Sequence, residues 1–86
     1  MITFTPEQEQ FMDELIDING VEHHKKKLKE ELAELIVAIS HFEDGKITLS
    51  ELLEEVADVL IVTTQHARFI NESEVQKEID KKISGS

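Results

Sequence analysis

Two apolar runs, LAELIVAI over residues 32–39 and VADVLIV over 56–62, are each interrupted by one polar side chain, Glu34 in the first and Asp58 in the second. An ionised carboxylate is almost never fully buried unless it is paired or bound to a metal. Any fold of this chain must therefore bring two costly charges close to its core and compensate them. Each has an acidic neighbour three residues earlier, Glu31 before Glu34 and Glu55 before Asp58. On a helix that spacing puts both side chains on one face. Between the pairs lies EDGKITLS, whose Gly45 marks a chain reversal. In an antiparallel helical hairpin centred near Asp44 and Gly45, residues at equal height have numbers summing to about 89, as Glu31 and Asp58 do, and Glu34 and Glu55. Four carboxylates then converge between two helices, where their repulsion calls for a cation. An all-oxygen ligand set suits hard divalent ions, Mg²⁺ first and Mn²⁺ as a substitute.

Acidic doublets such as Glu30-Glu31 and Glu54-Glu55 are also ordinary on solvated helix faces, and by themselves they would decide nothing. Glu34 and Asp58 tip the balance towards a shared site. Neither has a polar neighbour within its run, and Asp is a poor choice for a helix interior on propensity alone.

The remaining chain reads as helix throughout. Thr5-Pro6 opens a first helix by N-cap and N1 preferences, Phe11, Leu15 and Ile18 form its stripe, and Asn19-Gly20 ends it. A second runs from near Val21 to about Glu43 with Leu28, Leu32, Leu35, Ile39 and Phe42 at alternating steps of three and four. Ser50 or Thr48 caps a third, which continues through Leu52, Val56, Val59 and Leu60 towards Phe69. Asn71 and Ser73 offer starts for a short fourth, with Val75, Ile79 and Ile83 as apolar positions. The expected architecture is all-α: an antiparallel helical hairpin core with flanking helices, resembling a four-helix bundle. Residues 1–83 form a single domain, and 84–86 read as a disordered tail or a cloning remnant.

With 86 residues there is room for one core, filled with four Phe and neither Trp nor Tyr. The two central runs are apolar nearly all round, more than one partner helix can cover, so the faces around Val37, Ala38, Ile61 and Val62 are expected to meet a second copy in a homodimer or homotetramer. No Cys is present, no run approaches the roughly 18 apolar residues that span a bilayer, and the N-terminus lacks a signal-peptide pattern, which together suggest a cytoplasmic protein without a membrane partner. The net charge of −10 argues against binding a nucleic acid polymer. It does not exclude a small anionic substrate, because acids that hold cations present positive charge to a phosphate.

The sequence ELAE, twenty intervening residues and then EVAD resembles the ExxE…ExxD signature of the MazG-like all-α nucleoside triphosphate pyrophosphohydrolases, over about Lys27 to Gln65. That superfamily also holds dimeric dUTPases and phosphoribosyl-ATP pyrophosphohydrolase. The resemblance implies that Glu31, Glu34, Glu55 and Asp58 are catalytic metal ligands, and that a nucleoside triphosphate is converted to its monophosphate and pyrophosphate. The chain has no Ser, Cys or Thr set beside a His as a covalent nucleophile, which leaves direct attack by water, and Glu34 is an alternative general base. Lys27, one turn before Glu31, and Gln65, seven residues after Asp58, are candidate substrate contacts. Arg68, Lys77, Lys81 and Lys82 are further basic groups that could meet phosphate, although surface lysines are usually solubilising. His23, His24, His41 and His66 have no metal-ligand spacing to the acids.

Three other readings compete. Phosphoribosyl-ATP pyrophosphohydrolase shares the acid pattern, but the Ser-Tyr-Thr segment and aromatic-His pair associated with that branch are missing. A non-catalytic helical oligomerisation module with a structural metal site would use the same residues. The segment DGKITLSE imitates the second half of an EF-hand loop, yet Ser40 and Phe42 fall where oxygen ligands are required.

Overall fold

The computed structural model describes residues 1–85 and contains three α-helices, with no strand among the described residues: α1 (Pro6–Asn19), α2 (Val21–Glu43) and α3 (Leu49–Ile83). The first two match the expected limits. A capping box opens α1, with the Thr5 hydroxyl accepting from the Gln8 amide and the Gln8 side chain accepting from the Thr5 amide. Gly20 separates α1 from α2 with φ 91° and ψ 156°, a conformation essentially reserved for glycine.

The α2–α3 connection closes as a Schellman motif. Gly45 takes φ 72°, its amide donates to the Phe42 carbonyl, and the Lys46 amide reaches back to His41. Thr48, not Ser50, is the N-cap of α3. Its hydroxyl accepts from the Glu51 amide while the Glu51 carboxylate accepts from the Thr48 amide, so the capping box is T-x-x-E. Glu51, which would have closed an EF-hand loop, is thereby committed to a helix start.

The expected fourth helix is present and runs on from α3 without a loop. It is the C-terminal arm of α3, set off by a kink at Asn71, where φ −179° and ψ 91° leave helical space. Asn71 caps that arm from within, its Oδ1 accepting from the Glu74 amide and the Ser73 hydroxyl. The described chain thus holds three α-helices, the third kinked, and the expected fourth helix is the arm that starts at Asn71. Ser84 caps α3 through a bond from its amide to Asp80, while Ser86 of the expected 84–86 tail lies outside the described residues.

The dominant packing is α2 against α3, the hairpin expected from the acid register, with α1 laid across both. Met12, Ile16 and Val62 are the buried apolar residues, clustered where the three helices meet. Val62 therefore belongs to this core and is not part of an outer face. Gln65, also buried, donates from Nε2 to the Met12 carbonyl at 2.8 Å and so ties α3 to α1. Arg68 fastens the same pair of helices from outside, with a two-pronged contact to Asp13 at 2.8 and 3.0 Å and a bond to Glu9 at 2.9 Å, besides its own-helix partner Glu72. That guanidinium holds the Asp13 carboxyl below the usual carboxylate range.

Much of the apolar sequence is not covered within one chain. Ile36 is 69 % exposed, and Leu32, Val37, Ile39 and Ile61 remain substantially open. The runs that read as core sequence thus have a core side and an uncovered side. No helix among the described residues is long and apolar enough to cross a membrane.

Candidate metal centre

The hairpin register places the acids together. One carboxylate oxygen from each of Glu31, Glu34 and Glu55 lies within 4.8 Å of the other two. Two oxygens on opposite sides of a Mg²⁺ ion are about 4.2 Å apart, so small side-chain rotations would let all three reach one ion. Asp58, the fourth expected member, does not join this group. It is exposed and lines the adjoining cavity of about 490 Å³ together with Glu34 and Glu55, and its charge acts on Glu55.

The donor set is incomplete without a cation. Glu31 Oε2 and Glu55 Oε1 are both buried and neither has a hydrogen-bond partner. An acceptor left unpaired in that way costs free energy unless a proton or a metal occupies it. Protonation is the course open to the metal-free protein. Glu55 is pushed up to about 7, first by desolvation, then by hydrogen bonding to Glu31, then by the charges of Glu31, Glu34 and Asp58. A divalent ion would satisfy the same orphaned oxygens with all the carboxylates ionised, so these residues fit Mg²⁺ or Mn²⁺ in charge, donor type and proximity.

Lys27, four residues before Glu31, and Gln65, seven after Asp58, come into one hollow of about 200 Å³ at the α1 end of the hairpin. Gln65 meets it as part of a buried network. Besides its bond to Met12 it hydrogen-bonds the His24 ring, and His24 Nε2 lies 2.9 Å from His66 Nδ1. The two imidazoles stack with centroids 5.1 Å apart. Sequence reading missed this pair by treating the histidines as scattered. The signal was present, because 24 and 66 obey nearly the same hairpin register as the acids. His24 is almost fully buried, and desolvation, followed by the His66 charge, lowers its pKa against an opposing hydrogen bond to Gln65.

The other basic candidates lie elsewhere. Arg68 is saturated by Glu9, Asp13 and Glu72. Lys77 pairs with Glu74 and Lys81 with Glu78, on the exposed arm beyond the kink. His41 and Ile47 line the large cavity towards the Schellman turn, beside Val37 and Ala38.

Residues 19–85 match the family model for the MazG nucleotide pyrophosphohydrolase domain. No curated protein and no solved structure matches the chain. The matched segment takes in most of the chain, the helical hairpin and all four acids, and on that basis the chain belongs to the MazG nucleotide pyrophosphohydrolase family.

Proposed function

We propose that this protein hydrolyses nucleoside triphosphates, ribo- or deoxyribo-, to the monophosphate and pyrophosphate in a Mg²⁺-dependent reaction. One observation carries the reading: three carboxylates on two helices converge with two buried oxygens unpartnered, inside a chain of the MazG family. Glu31, Glu34 and Glu55 would hold the metal, and Asp58 would approach it from the cavity side. When bound, Mg²⁺ would neutralise charge on the phosphate oxygens and acidify a coordinated water. The chain's own part is positional. The apolar runs fix the acids in register, the hairpin shields Glu31 and Glu55 from bulk water, and the exposed Glu34 and Asp58 carboxylates face the open cavity, where either can accept a proton from an attacking water.

Incubated with Mg²⁺ and a panel of nucleoside triphosphates, the protein is expected to release pyrophosphate and leave the monophosphate. Glu34→Gln and Asp58→Asn should each lower turnover by orders of magnitude, whereas Glu43→Gln, near the interhelical turn, should not. Orthophosphate with a diphosphate product would contradict the reading. Hydrolysis of phosphoribosyl-ATP alone would assign the chain to that neighbouring activity, and complete inertness would favour a non-catalytic helical module.

The same reading includes assembly. Leu32, Ile36, Val37 and Ile39 on α2 are all left uncovered by the rest of the chain, and a second copy of the chain is the proposed cover. Sedimentation at micromolar concentration should give a dimer or tetramer. A stable monomer would refute that part of the proposal.

A further inference from the structure

The hollow at the junction of the three helices differs from the other cavities in how its polar groups are used. Its apolar floor comes from Ile16 and Val62. One polar wall is fully committed, since Gln65 bonds Met12 and His24, and His24 bonds His66. The opposite rim is not. Asn19 at the end of α1 and His23 and Lys27 on α2 all line the hollow, and among the described residues none of the three has a side-chain hydrogen bond or ion pair. An enclosed apolar floor, a rigid polar wall and three unspent polar side chains form the usual layout of a small-molecule subsite.

Its location sets the class of ligand. Lys27 precedes Glu31 by four residues and Ile61, another lining residue, follows Asp58 by three. At 1.5 Å of rise per residue these are axial offsets of about 6 and about 4.5 Å, so the hollow begins one helical turn from the acids. A triphosphate held at the acids would have its nucleoside one or two turns away. The large cavity on the other side continues from the acids to Glu51 and Glu54 and holds no Lys or Arg, which makes it less suited to the anionic chain and its ribose.

We propose that this hollow receives the nucleobase, that Asn19 and His23 discriminate between bases, and that Lys27 at its mouth contacts the phosphate chain. The proposal rests on the triphosphate reading of the acid site. An Asn amide presents one donor face and one acceptor side by side, and a neutral imidazole adds a donor or an acceptor according to its tautomer. A base that pairs with both is retained, while one that covers them and strips their water without pairing is disfavoured by roughly 10-fold per lost bond.

Two measurements test this, and both use the whole chain. In the first, kcat/KM is compared across the four bases for the wild type, Asn19→Ala and His23→Ala. The best-to-worst ratio is expected to shrink at least tenfold in one or both variants. Both side chains are exposed, so neither change should disturb folding. In the second, the metal-free protein is titrated with nucleoside monophosphates and followed by amide chemical shifts. Changes are expected at Asn19, His23, Ile61 and Gln65. Hydrolysis with base ratios unchanged in both variants, or shifts confined to His41 and Ile47, would overturn the proposal. If no triphosphate is hydrolysed but monophosphates still move the hollow's amides, the hollow stands as a nucleobase site and the catalytic reading fails. Neither hydrolysis nor shifts would overturn both.

Discussion

Glu55→Gln is expected to make the metal-free protein more stable at pH 8 and, at the same time, to abolish its response to Mg²⁺ and its turnover. The folded state holds a proton on Glu55 up to about pH 7, whereas the unfolded chain releases it near the ordinary glutamate value of 4.5. A carboxyl raised in this way contributes fully below pH 4.5, and its contribution is lost as the pH rises through 7. Above that, folding without metal forces a charge among Glu31, Glu34 and Asp58. Gln keeps the size of the side chain, carries no charge and can donate to Glu31. Glu55 is partly exposed, so solvent screening reduces the gain to on the order of 1 kcal/mol, and for a chain of this length that is roughly 4–8 °C in Tm.

Metal reverses the comparison. An ion that binds only the folded wild type at a free concentration of one hundred times Kd stabilises it by about 2.7 kcal/mol. In Glu55→Gln one of the two orphaned oxygens that call for the cation is replaced, so this increment should disappear. Melting curves of both proteins at pH 8, with and without millimolar Mg²⁺, read the whole prediction. A variant that is less stable than wild type without metal, or that keeps the wild-type metal shift, would remove the account of why these acids are together. A site that destabilises the empty fold is the pattern expected where function, and not packing, has placed the charges.

The helix limits and the acid register were legible because both depend on local chemistry. Pro6 after Thr5, Gly20, and the Gly45 turn are conformational requirements written in single residues, and antiparallel pairing across a short turn then fixes which positions meet. Glu34 and Glu55 meet for that reason. Asp58 stands apart from the three-carboxylate group because a register gives height along the helices but not how far each side chain reaches, and Asp is one methylene shorter than Glu. Nor does a register give the rotation of a helix about its axis, which matters for Val62. Sequence put it with Ile61 on an outer face, but one helical step of about 100° separates them, and only Val62 turns towards Met12 and Ile16.

Other features needed partners distant in sequence. Gln65 looked like a substrate contact seven residues past Asp58, yet its amide crosses to a carbonyl of α1, which no spacing rule within α3 could reveal. Arg68 was one of several cations until Glu9 and Asp13 arrived from α1 to hold it. The merging of the fourth helix into α3 is a smaller case. Asn71 does start a helical segment, as its type suggests, but the preceding segment runs straight into it without a loop.

The stability of the metal-free protein should depend on pH through two groups with opposite signs. His24 is lowered from 6.5 by burial and by His66, so the unfolded chain takes up this proton more readily than the folded one. Its contribution is complete above pH 6.5 and is lost as the pH falls below it. The geometry gives the reason: the His24 ring is almost fully buried, so a charge on it is poorly hydrated, and its Nε2 faces His66 at 2.9 Å, which outweighs the hydrogen bond to Gln65 that favours the charged ring. Between pH 5 and 6.5 Glu55 works the other way, gaining stability on acidification. In the wild type the two trends oppose each other and the Tm should change little across that window. Glu55→Gln removes one trend and should expose a Tm that falls as the pH is lowered from 7 to 5, and adding His24→Gln should flatten it again. Asp13, lowered by Arg68, loses its contribution only as the pH drops below 3.8 and so stays outside the window. A Glu55→Gln protein with a constant Tm from pH 7 to 5 would show that the His24–His66 contact does not hold the helix junction in solution.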